Sequence, residues 1–179
     1  MNTFATIEEV LRYEHVTYYT VRIEVDDKKE DENEFEKWIL KHSEDDSIKD
    51  EYQDLISFLE RMGKELSAKK RYFRHERKAG ALPPNWKKLK PQEKEANVTY
   101  SKNLRLYCMR ITKSVVILFN GDIKSIRART AEECPKVRKF FRQANNFAKS
   151  IDEAISNREI QVDTGNLIFD TDFEIAINL

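Results

Sequence analysis

Residues 104–129 constrain this chain most. Two runs rich in β-branched and aromatic residues, Leu104 to Ile111 and Val115 to Phe119, flank a short polar break. Asn120-Gly121 follows, and a third, shorter run extends from Ile123 to Arg129. Asn-Gly is favoured in two-residue hairpin turns, where both central residues take positive φ. The pattern therefore predicts a three-stranded antiparallel meander. It carries Arg105, Tyr107, Arg110, Lys124, Arg127 and Arg129, more ionisable groups than a sheet needs to fold. Read as two hairpins, the meander puts Arg105, Tyr107, Lys124 and Phe119 on one open face. Leu104, Leu106, Cys108, Val116 and Leu118 then form the face packed by helices.

The charge is segregated along the chain. Residues 1–66 carry 9 Lys/Arg and 19 Asp/Glu, residues 67–149 carry 22 and 6, and residues 150–179 carry 1 and 7, while the whole chain is neutral. A basic middle between acidic ends points to a polyanion as partner, with nucleic acid the first candidate. The two cysteines, Cys108 and Cys134, form no C-x-x-C pair, which fits a reduced, cytoplasmic protein. No apolar run approaches the roughly 20 residues that span a bilayer, and the N-terminus lacks the pattern of a signal peptide.

Length predicts a single domain over residues 1–179. Residues 3–13 predict a short helix with a Thr6/Glu9 capping box, and residues 16–25 a strand with Tyr19, Val21, Ile23 and Val25 on one face. Helices are expected over residues 34–42 and 48–66. A long basic loop spans residues 68–103, with its Lys87-Lys88-Leu89-Lys90 segment outside the core. After the meander, residues 135–156 predict a helix with an apolar stripe of Val137, Phe140, Phe141, Ala144, Phe147 and Ile151. Residues 160–170 read as a hairpin. The expected fold is α+β: an antiparallel sheet from an N-terminal strand and a three-stranded meander, with an αα-hairpin and a C-terminal helix packed on one side. The acidic segment 151–179 either adds a strand to the sheet or folds over the basic groove.

Arg beside Tyr on an open sheet suits nucleic acid, because Arg pairs with phosphate and Tyr can stack on a base or supply a proton. RNA cleavage needs a base for the 2′-OH, cations for the phosphorane and an acid for the leaving oxygen. His75 or Glu76 can serve as base, Arg105 and Arg74 as cations, and Tyr107 or Lys124 as acid. Arg77, Arg127 and Arg129 add RNA-binding charge. This route requires no metal or other cofactor, and His15, His42 and His75 lack zinc-ligand spacing. The chain has no phosphate loop, nucleotide fingerprint or nucleophile elbow.

The segments Tyr72-Phe73-Arg74-His75-Glu76, Ala81-Leu82-Pro83, Leu104 to Cys108, Val115 to Phe119 and Asn120 to Lys124 resemble the RelE/HigB-like superfamily of bacterial toxins over residues 16–150. The resemblance implies a cytoplasmic endoribonuclease of a toxin–antitoxin pair. Such toxins cut messenger RNA, often on the ribosome, and a bound antitoxin protein neutralises them. It places Arg105 and Lys124 where such toxins carry basic groups on strands, and Tyr107 where an active-site phenol stands. A longer chain and an acidic C-terminal extension depart from the compact toxins. The alternative expectation is a non-enzymatic toxin or a nucleic-acid- or protein-binding module, such as a gyrase inhibitor.

Overall fold

The computed structural model describes residues 3–93 and 103–178; residues 94–102 of the expected basic loop lie outside them. The chain opens with β1 (Thr3–Arg12) and β2 (Thr17–Val25), antiparallel along their whole length from Thr3↔Val25 to Arg12↔Thr17. The helix expected over 3–13 is therefore a strand. Ala5 and Ile7 alternate with Thr6 and Glu8 so that only the first pair is buried. A full ladder to β2 outweighs one local capping box, and Glu9 instead accepts from Arg12 Nε at 3.1 Å.

A turn and β3 (Lys28–Lys29) lead to α1 (Glu34–His42), which starts at a capping box between Asn33 and Glu36. Next come α2 (Lys49–Arg61), a π-turn over Met62–Leu66, and the hairpin β4 (Arg74–Glu76) with β5 (Ala79–Leu82). Beyond it, Trp86 and Leu89 are buried, and Trp86 packs edge-on against Phe58 at 5.1 Å. This corrects the expectation that the Lys87–Lys90 segment stays outside: only its lysines face solvent, because the flanking apolar residues anchor it.

β6 (Leu106–Thr112) and β7 (Val115–Leu118) form the expected hairpin. The third strand of the meander does not form. Neither Asn120 nor Gly121 has positive φ, so the Asn-Gly pair cannot close a type I′ turn. The chain instead runs straight on beside β6. Phe119 N donates to Tyr107 O at 2.8 Å, Tyr107 N to Asn120 O at 3.0 Å, and Arg105 N to Asp122 O at 3.0 Å. Pairing ends at an isolated Leu104↔Ile123 bridge. Gly121 is required for this close approach, since a Cβ there would overlap the Arg105 carbonyl.

α3 (Pro135–Ser156) follows, then the hairpin β8 (Gln161–Asp163) and β9 (Asn166–Ile168), and finally β10 (Ile175–Ala176). The large sheet runs β10-β1-β2-β7-β6-β5-β4, with β3 also on β2. It is mostly antiparallel, but β2 and β7 are parallel, in register from Thr17↔Val115 to Thr20↔Leu118. β10 lies on the opposite edge from β4, so the acidic tail adds a strand and does not cover the basic groove.

Helices cover both faces, not one. Trp38, Leu55, Phe58 and Leu59 of α1 and α2 pack on Tyr18, Leu106, Cys108, Val116 and Leu118. Val137, Phe141, Phe147 and Ile151 of α3 pack on Val21, Ile23, Tyr107, Ile117 and Phe119. β7 is therefore buried on both sides and reads as an unbroken apolar run. The chain is a mixed α+β protein, and no described helix is long and apolar enough to cross a membrane.

Candidate functional site

At the β4 end of the sheet, the face beneath α3 changes character. The register sets Arg74 of β4 opposite Ala81 of β5 and Ala81 opposite Tyr107 of β6, with Glu76 opposite Ala79. Residues two apart on a strand share a face, so Arg74, Glu76, Ala79, Ala81, Tyr107 and Arg105 all point the same way. The two alanines are buried and small. They separate the ionisable groups of β4 from those of the β6 segment.

A cleft of about 690 Å³ lies beside these groups. Arg74, Glu76, Arg105, Lys124, Arg129 and His75 line it, and Arg71, Asn85 and Lys88 lie on its walls. Lys124 and Arg129 enter from the loop that replaces the third meander strand, where Lys124 Nζ donates to Arg129 O at 3.3 Å. Arg74 is fixed by Nε donating to Pro83 O at 2.8 Å. Arg105 is only 7 % exposed, and its guanidinium donates to its neighbour's carbonyl, Leu104 O, at 3.2 Å. Its own carbonyl accepts from the Trp38 indole at 3.1 Å, which ties this position to the opposite helix layer.

The electrostatics follow from crowding. Burial, with Arg105 nearby, pulls the Arg74 guanidinium down to about 10. Burial lowers Arg105 as well, against the opposing pull of Tyr107, Glu76 and Glu51. Burial raises the Glu76 carboxyl above the usual carboxylate range even though Arg105, Lys124, Arg74 and His75 pull it down. A carboxyl raised by burial in a cationic cleft is an arrangement that suits a general base.

The remaining expected site residues are placed differently. Tyr107 is fully buried behind the cleft and meets Phe141 edge-on at 6.2 Å. Its hydroxyl has no hydrogen-bond partner among the described residues, and burial raises its pKa strongly. The open face expected for Arg105 and Tyr107 is thus covered by α3, because Phe141 and Phe147 need that surface. Arg77, with φ 65° at the β4–β5 turn, points away to Glu132 at 3.6 Å and over the Phe141 ring at 5.3 Å. Arg127 is exposed and not part of the lining.

Sequence reasoning missed Arg71, Asn85 and Lys88, although the density of Lys and Arg over residues 69–90 was a signal. It also missed Asn145 of α3, whose Oδ1 accepts from Lys78 N at 2.8 Å and Ala79 N at 3.1 Å. This bond holds the β4–β5 hairpin, and with it Arg74 and Glu76, against the helix. A polar residue beside the stripe of Phe141, Ala144 and Ala148 was its only trace. Among the described residues, no group of three His, Cys, Asp or Glu side chains could hold a metal ion. The chain matches no family model, no curated protein and no solved structure.

Proposed function

We propose that the cleft binds RNA and cleaves its phosphodiester backbone, as a cytoplasmic toxin of a toxin–antitoxin pair acting on messenger RNA, with the ribosome and an antitoxin protein as partners. One observation carries the reading: a partly buried carboxyl of raised pKa, Glu76, shares a cleft with Arg74, Arg105, Lys124 and Arg129. In this mechanism Glu76 takes the 2′-OH proton, and the 2′-oxygen attacks the adjacent phosphorus. Arg105 and Arg74 stabilise the added negative charge of the phosphorane. The bond from phosphorus to the 5′-oxygen breaks, and that oxygen takes a proton from the Lys124 ammonium. The products are a 2′,3′-cyclic phosphate and a 5′-hydroxyl. Tyr107 touches no RNA; it is a positioning residue beneath Arg105 and Glu76. Arg129, Arg71, Lys88 and His75 hold flanking phosphates.

The test maps RNA ends after controlled expression, and after incubating purified protein with RNA with and without ribosomes. Wild type should create 5′-hydroxyl and cyclic-phosphate ends, and Arg105→Ala should reduce cleavage by about 10²–10³-fold, the usual loss for one transition-state donor. Growth arrest without new ends would replace this reading with a non-enzymatic one.

A further inference from the structure

α3 reverses the order of charge that the other two described α-helices keep. α1 begins with Glu34 and Glu36 and ends with Lys41, and α2 begins with Asp50 and Glu51 and ends with Arg61. That order suits the positive amino end and negative carboxyl end of a helix dipole. α3 carries Lys136, Arg138, Lys139, Arg142 and Lys149, and its first acidic residue is Asp152. Cations in the first turns oppose the dipole and one another, so folding does not account for this order.

The cations face outward. Lys136, Lys139, Arg142 and Lys149 are exposed, and the three lysines make no ion pair among the described residues. Exposed cations elsewhere find carboxylates: Arg12 meets Glu9, Lys64 meets Glu60 and Lys78 meets Asp152. On α3 they crowd instead, for Lys139 Nζ lies 5.9 Å from the centre of the Phe140 ring and Lys41 Nζ lies 4.0 Å from the same centre. From Lys136 to Lys149 the ridge is about 20 Å long at 1.5 Å per residue. It also adjoins the cationic cleft. Ala131 lines the cleft, and Cys134 N, at the start of α3, donates to Ala131 O at 3.2 Å. Arg142 reaches back to Glu132, 3.7 Å away and one residue beyond that wall.

We propose that this ridge is a track for the sugar–phosphate backbone of RNA. A single strand that fills the cleft continues past Arg129 and over the outer face of α3. The inference rests on the RNA reading of the cleft and narrows its substrate to unpaired RNA that extends several nucleotides beyond the scissile step. In-line attack by the 2′-oxygen needs a strand free to leave helical geometry. The lysine ammonium groups hold phosphates as point charges, so the track adds affinity and alignment without base preference.

The test compares RNAs of about 4 and about 16 nucleotides, the range of single-strand site sizes, in cleavage and, as uncleavable 2′-O-methyl RNA, in binding. Wild type is set beside the triple variant Lys136→Gln/Lys139→Gln/Lys149→Gln, whose fold is checked by thermal melting. The variant should raise KM for the long RNA about tenfold at unchanged kcat, and its salt slope should fall by about 2, at ~0.7 per lost charge. The short RNA should be cleaved as before, and poly-glutamate should not displace the long RNA. The track is overturned if wild type cleaves the long RNA and the variant changes neither KM nor salt slope, or if the short RNA suffers equally. Competition by poly-glutamate as strong as by RNA would overturn it in favour of an acidic protein partner. Lysine-dependent binding of the long RNA without cleavage of either RNA would uphold the track and overturn the cleavage reading.

Discussion

The surface beneath α3 is one continuous sheet face with two unlike halves. Over β1, β2 and β7, the inward positions hold Ala5, Ile7, Val21, Ile23, Ile117 and Phe119, sealed by Phe147, Ala148 and Ile151. The Phe119 and Phe147 rings meet at 5.2 Å. Over β4, β5 and the start of the β6 segment, the equivalent positions hold Arg74, Glu76, Arg105 and Tyr107, separated by two alanines, and a cleft opens beside Arg74, Glu76 and Arg105. The first half stabilises the fold through apolar burial, about 1.5–3 kcal/mol for each large side chain. The second half holds desolvated charges, which lower stability unless they are compensated. Apolar burial and ionisable groups are thus divided across one sheet face.

That division can be broken most sharply at Glu76. Glu76→Gln should lower RNA cleavage by about 10²–10⁴-fold, the range for a lost general base. Its effect on stability should have the opposite sign. The folded cleft favours the protonated carboxyl, so Glu76 contributes stability at low pH. That contribution is lost as pH rises from the ordinary carboxylate range through its raised folded value. Glutamine mimics the neutral form, so the variant should melt at or above the wild-type temperature at neutral pH. Wild-type cleavage should fall as pH drops through the same raised value, and a rate independent of pH there would remove Glu76 from the chemistry.

The converse change is Phe147→Ala in the sealed half. It should cost about 3–5 kcal/mol in urea unfolding, while cleavage per folded molecule stays near wild type. A large loss of activity at unchanged stability would show that the halves are not separable. Asn145→Ala tests the seam between them. Losing its bonds to Lys78 N and Ala79 N should cost about 1 kcal/mol and weaken RNA binding by loosening the β4–β5 hairpin, whereas a purely structural role would leave KM unmoved. The smallest effect is expected at Arg127, which lies outside the cleft lining. Arg127→Ala should reduce RNA binding only slightly and lower its salt dependence by about one charge; a loss as large as that of Arg105→Ala would redraw the site.

Periodicity made much of the fold legible. β2, α1, α3, the β6–β7 hairpin and the β8–β9 hairpin all lie where alternation or the 3.6-residue repeat places them, because those patterns express one local geometry. The α3 stripe from Val137 to Ile151 is buried as expected except at Phe140, which is half-buried. Residues 3–13 failed because a capping box and an alternating strand coexist there, and only the ladder to β2 decides between them. Asn120-Gly121 failed because the pair permits a hairpin turn without compelling one. Gly121 serves close backbone approach to Arg105 instead.

The segregation of charge and the residue types Arg74, Glu76, Arg105 and Lys124 are properties of the chain, and they carried the idea of a polyanion site from composition and spacing alone. Which of those groups meet was settled in three dimensions. Arg74 and Glu76 are separated from Arg105 by about thirty positions, and only the β4-β5-β6 register, with alanines between, brings them to one cleft. Burial of Tyr107, diversion of Arg77 to Glu132 and coverage of both sheet faces have the same cause. A local pattern records which side of a strand a residue occupies, but what packs on that side depends on long-range contacts that no short window of sequence contains.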